Sequence, residues 1–230
     1  TSSDQARWLM IGGTSIHGAP IPTLTDSDDT STPLTVIASN AIAQNSEIET
    51  VVLVTSIRGL FQLKDGTNLE TEKNYNHFYL KNLPLVSDEV YENTQSGLTF
   101  AVEKFIKAGK KVVIVVDNPV LPHPYDCVGR KTAFEFFNQL LPQQNPACFV
   151  PLSTFESQIS GYKKMLNNIK QAHLKYVEIF DATDIYCNRQ TDVCGPLLNN
   201  ILLYNHTDHI SDYTGGVVGQ KLNDFLSKSP

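Results

Sequence analysis

Four short runs of aliphatic and β-branched residues constrain this chain more than anything else in it. They are "WLMIG" at residues 8–12, "VVLVT" at 51–55, "VVIVVD" at 112–117 and "YVEIFD" at 176–181. Runs this short and this apolar suit strands buried on both faces, where the alternation with polar residues disappears. Amphipathic stretches separate them. Residues 96–107 set Leu98, Val102, Phe105 and Ile106 on one helical face, with Gly109 as the stop. A second helix is expected from Ser153, where Glu156 three residues on completes a capping box and Ile159, Tyr162, Leu166 and Ile169 form the apolar face. A last helix is expected over residues 216–226, using Val217, Leu222, Phe225 and Leu226. Strands alternating with helices imply βαβ units, and hence a mostly parallel central sheet of four strands inside a three-layer αβα fold.

The chain has 230 residues. A single hydrophobic core keeps growing up to roughly 250 residues, so one domain over residues 1–230 is expected. Two polar stretches, 26–33 and 64–86, read as excursions from that core, and no internal repeat is visible. In parallel α/β sheets, sites form in the crevice beyond the carboxyl ends of the strands. The loops to watch are therefore 13–22, 56–60 and 118–127.

Eighteen Lys and Arg against 24 Asp and Glu leave the chain mildly acidic, with the basic residues scattered. That is not the footprint of a protein that tracks phosphates, so nucleic acid is not an expected partner. No apolar stretch approaches the roughly 20 residues needed to span a bilayer. The N-terminus carries neither a basic leader nor an initiator Met, which suggests an excised or processed chain. The cysteines, 127, 148, 187 and 194, lack any CxxC spacing. Cys187 and Cys194 bracket the polar turn "CNRQTDVC", which a disulfide could staple, and an oxidising compartment is the reading preferred over four free thiols. The overall connectivity stays open.

Candidate chemistry sits at two distant places. Ser15 follows the first apolar run in "WLMIGGTSIHGAP", and "LLYNHTDHISDYTGG" at 202–216 gathers two His, two Asp and two Tyr before the last helix. A serine that handles esters needs a base for its proton and donors for the oxyanion, which usually come from separate parts of a chain. His206 and His209 form an HxxH pair, but a catalytic zinc needs at least three protein ligands and no third is evident, so no metal is expected.

These blocks resemble the SGNH hydrolases. "IGGTSIHGAPIPTL" looks like their nucleophile block, Gly-Asp-Ser before a short helix, and "LYNHTDHISDYTGG" like their final block, Tyr-x-Asp-x-x-His-Leu-Ser. "KKVVIVVDNPVLPHPYDCVGR" and "VEIFDATDIYCNRQTDVC" resemble the Pro-rich loop and the paired-Cys segment of the SGNH domain that follows the membrane part of family 3 acyltransferases, bacterial enzymes that O-acylate surface glycans.

The resemblance implies a flavodoxin-like SGNH fold, Ser15 as nucleophile and His209 as general base. It implies oxyanion donors from the Ser15 backbone, from Gly59 and from Asn118, and no metal or organic cofactor. The partners it implies are a carbohydrate acceptor, such as a cell-surface polysaccharide, and an acyl donor delivered by a membrane acyltransferase domain. The expected location is periplasmic or extracytoplasmic, tethered to the inner membrane in the full-length protein.

The sequence departs from the family at two points. Thr14 stands where the family has the Asp before its nucleophile, and His206 stands where it has the Asp that orients the base. His206 then becomes the orienting candidate, with Asp208 and Asp212 as alternative acids. A catalytically inactive glycan-binding or scaffolding domain is the competing expectation. Plainer roles exist too: Ser15 and Thr14 as caps of the first helix, His17 as a surface residue, Asp208 and Asp212 as caps of the last helix, and "NHT" at 205–207 as a chance glycosylation sequon.

Overall fold

The computed structural model describes residues 8–9, 34–60, 86–121, 124–127, 148–198, 201–206 and 209–228. Of the first expected strand only Trp8 and Leu9 fall within that set, both exposed. Its remaining residues, both polar excursions almost entirely, and Thr14, Ser15, His17 and Asp208 lie outside the described residues.

The other three apolar runs form strands β1 (Thr50–Val54), β2 (Lys111–Val115) and β3 (Val177–Phe180). They make one parallel sheet in the order β1-β2-β3, with Val52 opposite Val113 and Ile114 opposite Ile179. Val112, Val113 and Ile114 are buried in succession. Consecutive burial means that both faces of the central strand are covered, the condition parallel sheets meet with helices on either side. The fold is thus the expected αβα arrangement about a parallel sheet.

Helix α1 (Leu34–Gln44) precedes β1, and α2 (Asp88–Lys107) joins β1 to β2. The expected helix at 96–107 proves to be only the second half of α2. Its start is fixed by Ser87, whose Oγ accepts the Val90 N–H at 3.3 Å, and by Asp88 and Glu89 at the positive end of the helix dipole. The first turns hide from a periodicity reading because the fully buried face begins at Leu98 and continues through Ala101, Val102 and Phe105. Gly109 closes the helix with φ of 78°, a left-handed conformation that glycine adopts without a Cβ clash.

The expected helix from Ser153 is two helices, α3 (Leu152–Gln158) and α4 (Ser160–Ala172), hinged at the buried Ile159. Tyr162, Met165, Leu166 and Ile169 are the buried face of α4. The capping box at Ser153 does not form, because Ser153 lies inside α3 rather than at its cap. Asp192 supplies the acceptor instead: its carboxylate takes the Ser153 N–H and hydroxyl, each at 2.8 Å, and its carbonyl takes the Leu152 N–H at 3.1 Å. A full carboxylate beside the helix's positive end outcompetes a neutral local hydroxyl. Glu156 turns away to Arg189 at 3.0 Å.

Asp192 reaches α3 from the tip of the segment that Cys187 and Cys194 close. These two residues face each other across an antiparallel pair and form a disulfide. Cys127 and Cys148 form the second, so all four cysteines are paired. The last helix, α5, runs Asp212–Lys228, starting before the expected residue 216. It packs against β3 through Phe225, whose ring meets Phe180 edge to face at 5.5 Å.

Candidate active site

At the carboxyl ends of the three strands the chain changes from valine and isoleucine to hydroxyl and carboxylate groups, because this is where the backbone must leave the sheet. Thr55 follows β1; its hydroxyl donates to the Val115 carbonyl at 3.0 Å and shares a short hydrogen bond with the hydroxyl of Tyr162. Tyr162 is fully buried. That burial, reinforced by the nearby charges of Asp117 and Asp181, pushes its phenol up, so it remains a neutral hydrogen-bonding group.

Asp117 follows β2 and uses one carboxylate to tie two loops together. One oxygen accepts the Ile57 N–H at 2.8 Å and the other accepts its neighbour Asn118's N–H at 2.9 Å. Ile57 opens the 3-10 turn Ile57–Leu60, which carries Gly59. Asp181 follows β3 and does something different. One oxygen accepts the N–H and hydroxyl of Thr183, at 2.9 and 2.6 Å, and the other accepts Lys163 Nζ at 2.9 Å. Burial pushes the Asp181 carboxyl up, but the Thr183 and Lys163 bonds outweigh it and hold the group below its ordinary value.

The cluster ahead of α5 is a compact hairpin. The short strands Leu197–Leu198 and Ile201–Leu202 pair antiparallel, and Tyr204 then bridges to Ile210. The His209 carbonyl accepts the N–H groups of Asn205 and His206 at 2.8 and 3.2 Å. This turn brings the two imidazoles together, with ring centroids 5.9 Å apart and planes tilted by 46°. Ser211 anchors the exit: its hydroxyl donates to the Leu202 carbonyl at 2.8 Å and accepts the Thr214 N–H at 3.3 Å. Ser211 therefore caps α5, while Asp212 is an exposed residue of its first turn.

The Tyr204 side chain links this hairpin to the loop after β2. Tyr204 is wholly buried, and its hydroxyl donates to the Pro119 carbonyl at 2.9 Å and accepts from Asn118 Nδ2 at 3.3 Å. Its ring meets Tyr186 edge to face at 5.7 Å. Tyr186 is itself buried, which together with the charge of Asp117 pushes its phenol up.

Of the residues singled out in the sequence, the structure brings together His206, His209 and, through Tyr204, Asn118. His209 is exposed and His206 half-buried. The Asn118 amide is directed at Tyr204 and, at 3.4 Å, at the Pro119 carbonyl. Gly59 lies in the turn that Asp117 holds. Ser15 and Asp208 lie outside the described residues. Asp117, Tyr162, Thr55 and Tyr204 are additions to that set. Asp117 was signalled by a carboxylate closing an otherwise apolar strand, and Tyr204 by opening the final block. Among the described residues no group of three or more His, Cys, Asp or Glu is assembled to hold a metal ion. A groove of about 250 Å³ beside α5 is walled by Asp184, Ile185, Ile201, Tyr213, Val217 and Lys221, and neither imidazole lines it.

A parallel sheet flanked by helices fits an SGNH-like αβα fold. The chain belongs to the family of SGNH domains fused to AT3 domains, whose model matches residues 10–222. Among solved structures it is similar to the lipopolysaccharide acetyltransferase periplasmic domain of Salmonella ser. Paratyphi A, at 15% identity with a TM-score of 0.50, covering 92% of this chain and 70% of that one. At that identity the likeness is one of fold. No curated protein matches.

Proposed function

We propose that this chain, as one SGNH-like domain, transfers an acyl group, most simply acetyl, to or from a carbohydrate hydroxyl. Ser15 is the nucleophile and His209 the general base. In the first half-reaction the His209 imidazole takes the Ser15 proton as Oγ bonds to the acyl carbonyl carbon; the oxyanion then collapses and His209 returns the proton to the departing group. In the second, a sugar hydroxyl or water gives its proton to His209 as it attacks the acyl-serine carbonyl, and His209 returns that proton to Ser15 Oγ as the serine leaves. Backbone N–H groups of Ser15 and Gly59 and the Asn118 amide are the donors assigned to the oxyanion. His206 orients His209, with Asp208 and Asp212 as the carboxylates available instead.

The observation that carries this reading is the hairpin bearing His209, pinned by Tyr204 to the loop after β2, at the sheet edge where such folds form their sites. The family match supports it by running across both Ser15 and His209. Two disulfides favour an oxidising, extracytoplasmic setting. The family's fusion to AT3 domains, and a structural neighbour described as a periplasmic acetyltransferase domain, support a membrane-tethered parent that delivers the acyl group and a surface polysaccharide that accepts it.

Thr14 and His206 favour a second reading, a domain that binds glycan without turning it over, since a neutral imidazole stabilises an imidazolium less well than a carboxylate does. One experiment separates the two. The protein, Ser15→Ala and His209→Ala are each exposed to a serine-directed fluorophosphonate and to an activated acetyl ester. The enzymatic reading expects labelling and turnover in the parent protein alone; equal signal from all three rejects it.

A further inference from the structure

We infer that Tyr204 is a positioning residue for the base: its hydroxyl sets where the His209 imidazole stands relative to the loop after β2. The inference rests on the assignment of His209 as base and adds the device that holds it. His209 is exposed, and its carbonyl accepts the N–H groups of Asn205 and His206. Those bonds shape the turn. Both ends of the hairpin carry further bonds. At the α5 end, Ser211 bonds back to Leu202 and Leu203, which are residues of the same hairpin. At the other end Tyr204 crosses to a different part of the chain, bonding to Asn118 and Pro119 some 85 residues away in sequence.

The chemistry of that contact suits positioning rather than simple filling. Tyr204 has no exposed surface, and its hydroxyl uses both its capacities: it donates to a carbonyl and accepts from an amide. A phenylalanine would keep the ring and its edge contact with Tyr186 while leaving the Pro119 carbonyl without this donor. The same hydroxyl holds Asn118, so one oxygen relates a donor assigned to the oxyanion and the hairpin that carries the base. Proton transfer requires heavy atoms at hydrogen-bond distance, and a displacement of about 1 Å costs on the order of a hundredfold in rate.

The test compares the parent protein with Tyr204→Phe, with His209→Ala run alongside. Turnover of an activated acetyl ester is expected to show kcat lowered about tenfold to a hundredfold in Tyr204→Phe, with KM within about twofold, since the hydroxyl acts on the geometry of the step and not on ester binding. Hydrogen exchange is measured on the same proteins. The Asn205 and His206 amides, which donate to His209, are expected to exchange about tenfold faster in Tyr204→Phe while the Lys163 amide in α4 does not change. Unchanged kcat, or unchanged exchange at Asn205 and His206, overturns the inference. Should His209→Ala turn over the ester as fast as the parent, the base assignment fails; exchange alone then decides whether Tyr204 positions the hairpin.

Discussion

Two regions meet at the carboxyl edge of the sheet, and they are held in opposite ways. The loops after β1 and β2 are fastened from inside: a carboxylate on Asp117 takes one backbone N–H from each, and a disulfide from Cys127 ties the second loop's far end to Cys148. The hairpin at Tyr204–Ile210 reaches the loop after β2 through a buried phenol and leaves His209 exposed. The difference teaches where such a site puts its rigidity. Groups that meet developing charge gain most from being fixed beforehand. An imidazole that must take and return a proton needs placement along one direction and solvent access for the acceptor.

The contrast can be broken from its rigid side first. Replacing both Cys127 and Cys148 by serine opens a cross-link spanning 21 residues and is expected to cost about 3 kcal/mol, read by urea unfolding. Asp117→Ala leaves two backbone donors without their acceptor and is expected to cost about 2 kcal/mol in the same assay. A loss under about 0.5 kcal/mol would mean that water replaces the carboxylate and that the loops are not fastened through it.

Smaller effects sharpen the picture away from the site. Asp192→Ala removes the borrowed cap of α3 and is expected to cost about 1 kcal/mol, with faster exchange at the Ser153 amide. Asp181 gives the smallest effect and the one that depends on pH. Its folded carboxyl titrates below the ordinary value of 3.8, so its contribution is complete above that value and is lost as pH falls from there through the lower folded one. Because the pair with Lys163 is about one-third exposed, the contribution is about 0.5 kcal/mol or less. Asp181→Asn is expected to flatten the stability profile in that acid window and to lower stability at neutral pH by that amount.

How much of this was readable in advance follows the same division. Strands β1 to β3 showed in the sequence because Val and Ile runs have no other comfortable home than a sheet covered on both faces. The buried half of α2 and the face of α4 showed through their periodicity. The first half of α2 did not, because its turns are held by the Ser87 cap and the dipole rather than by a buried stripe. Ser153 with Glu156 misled because a capping box is a local pattern, and Asp192 arrived from 39 residues away through a disulfide-closed hairpin. The bond between Tyr204 and Asn118 is of that second kind. Both residues stood in segments that resemble the family, yet no spacing within either segment encodes a contact between them.

The central claim is that Ser15 and His209 act on one acyl group, and trapping the intermediate tests it most directly. The protein is mixed with an activated acetyl ester, quenched in acid within the first turnovers, and its peptides are weighed. The account predicts one added acetyl group on the peptide containing Ser15, absent in Ser15→Ala and strongly reduced in His209→Ala. Ester turnover in the parent protein with no acetyl on that peptide, or acetylation unchanged in His209→Ala, would contradict it.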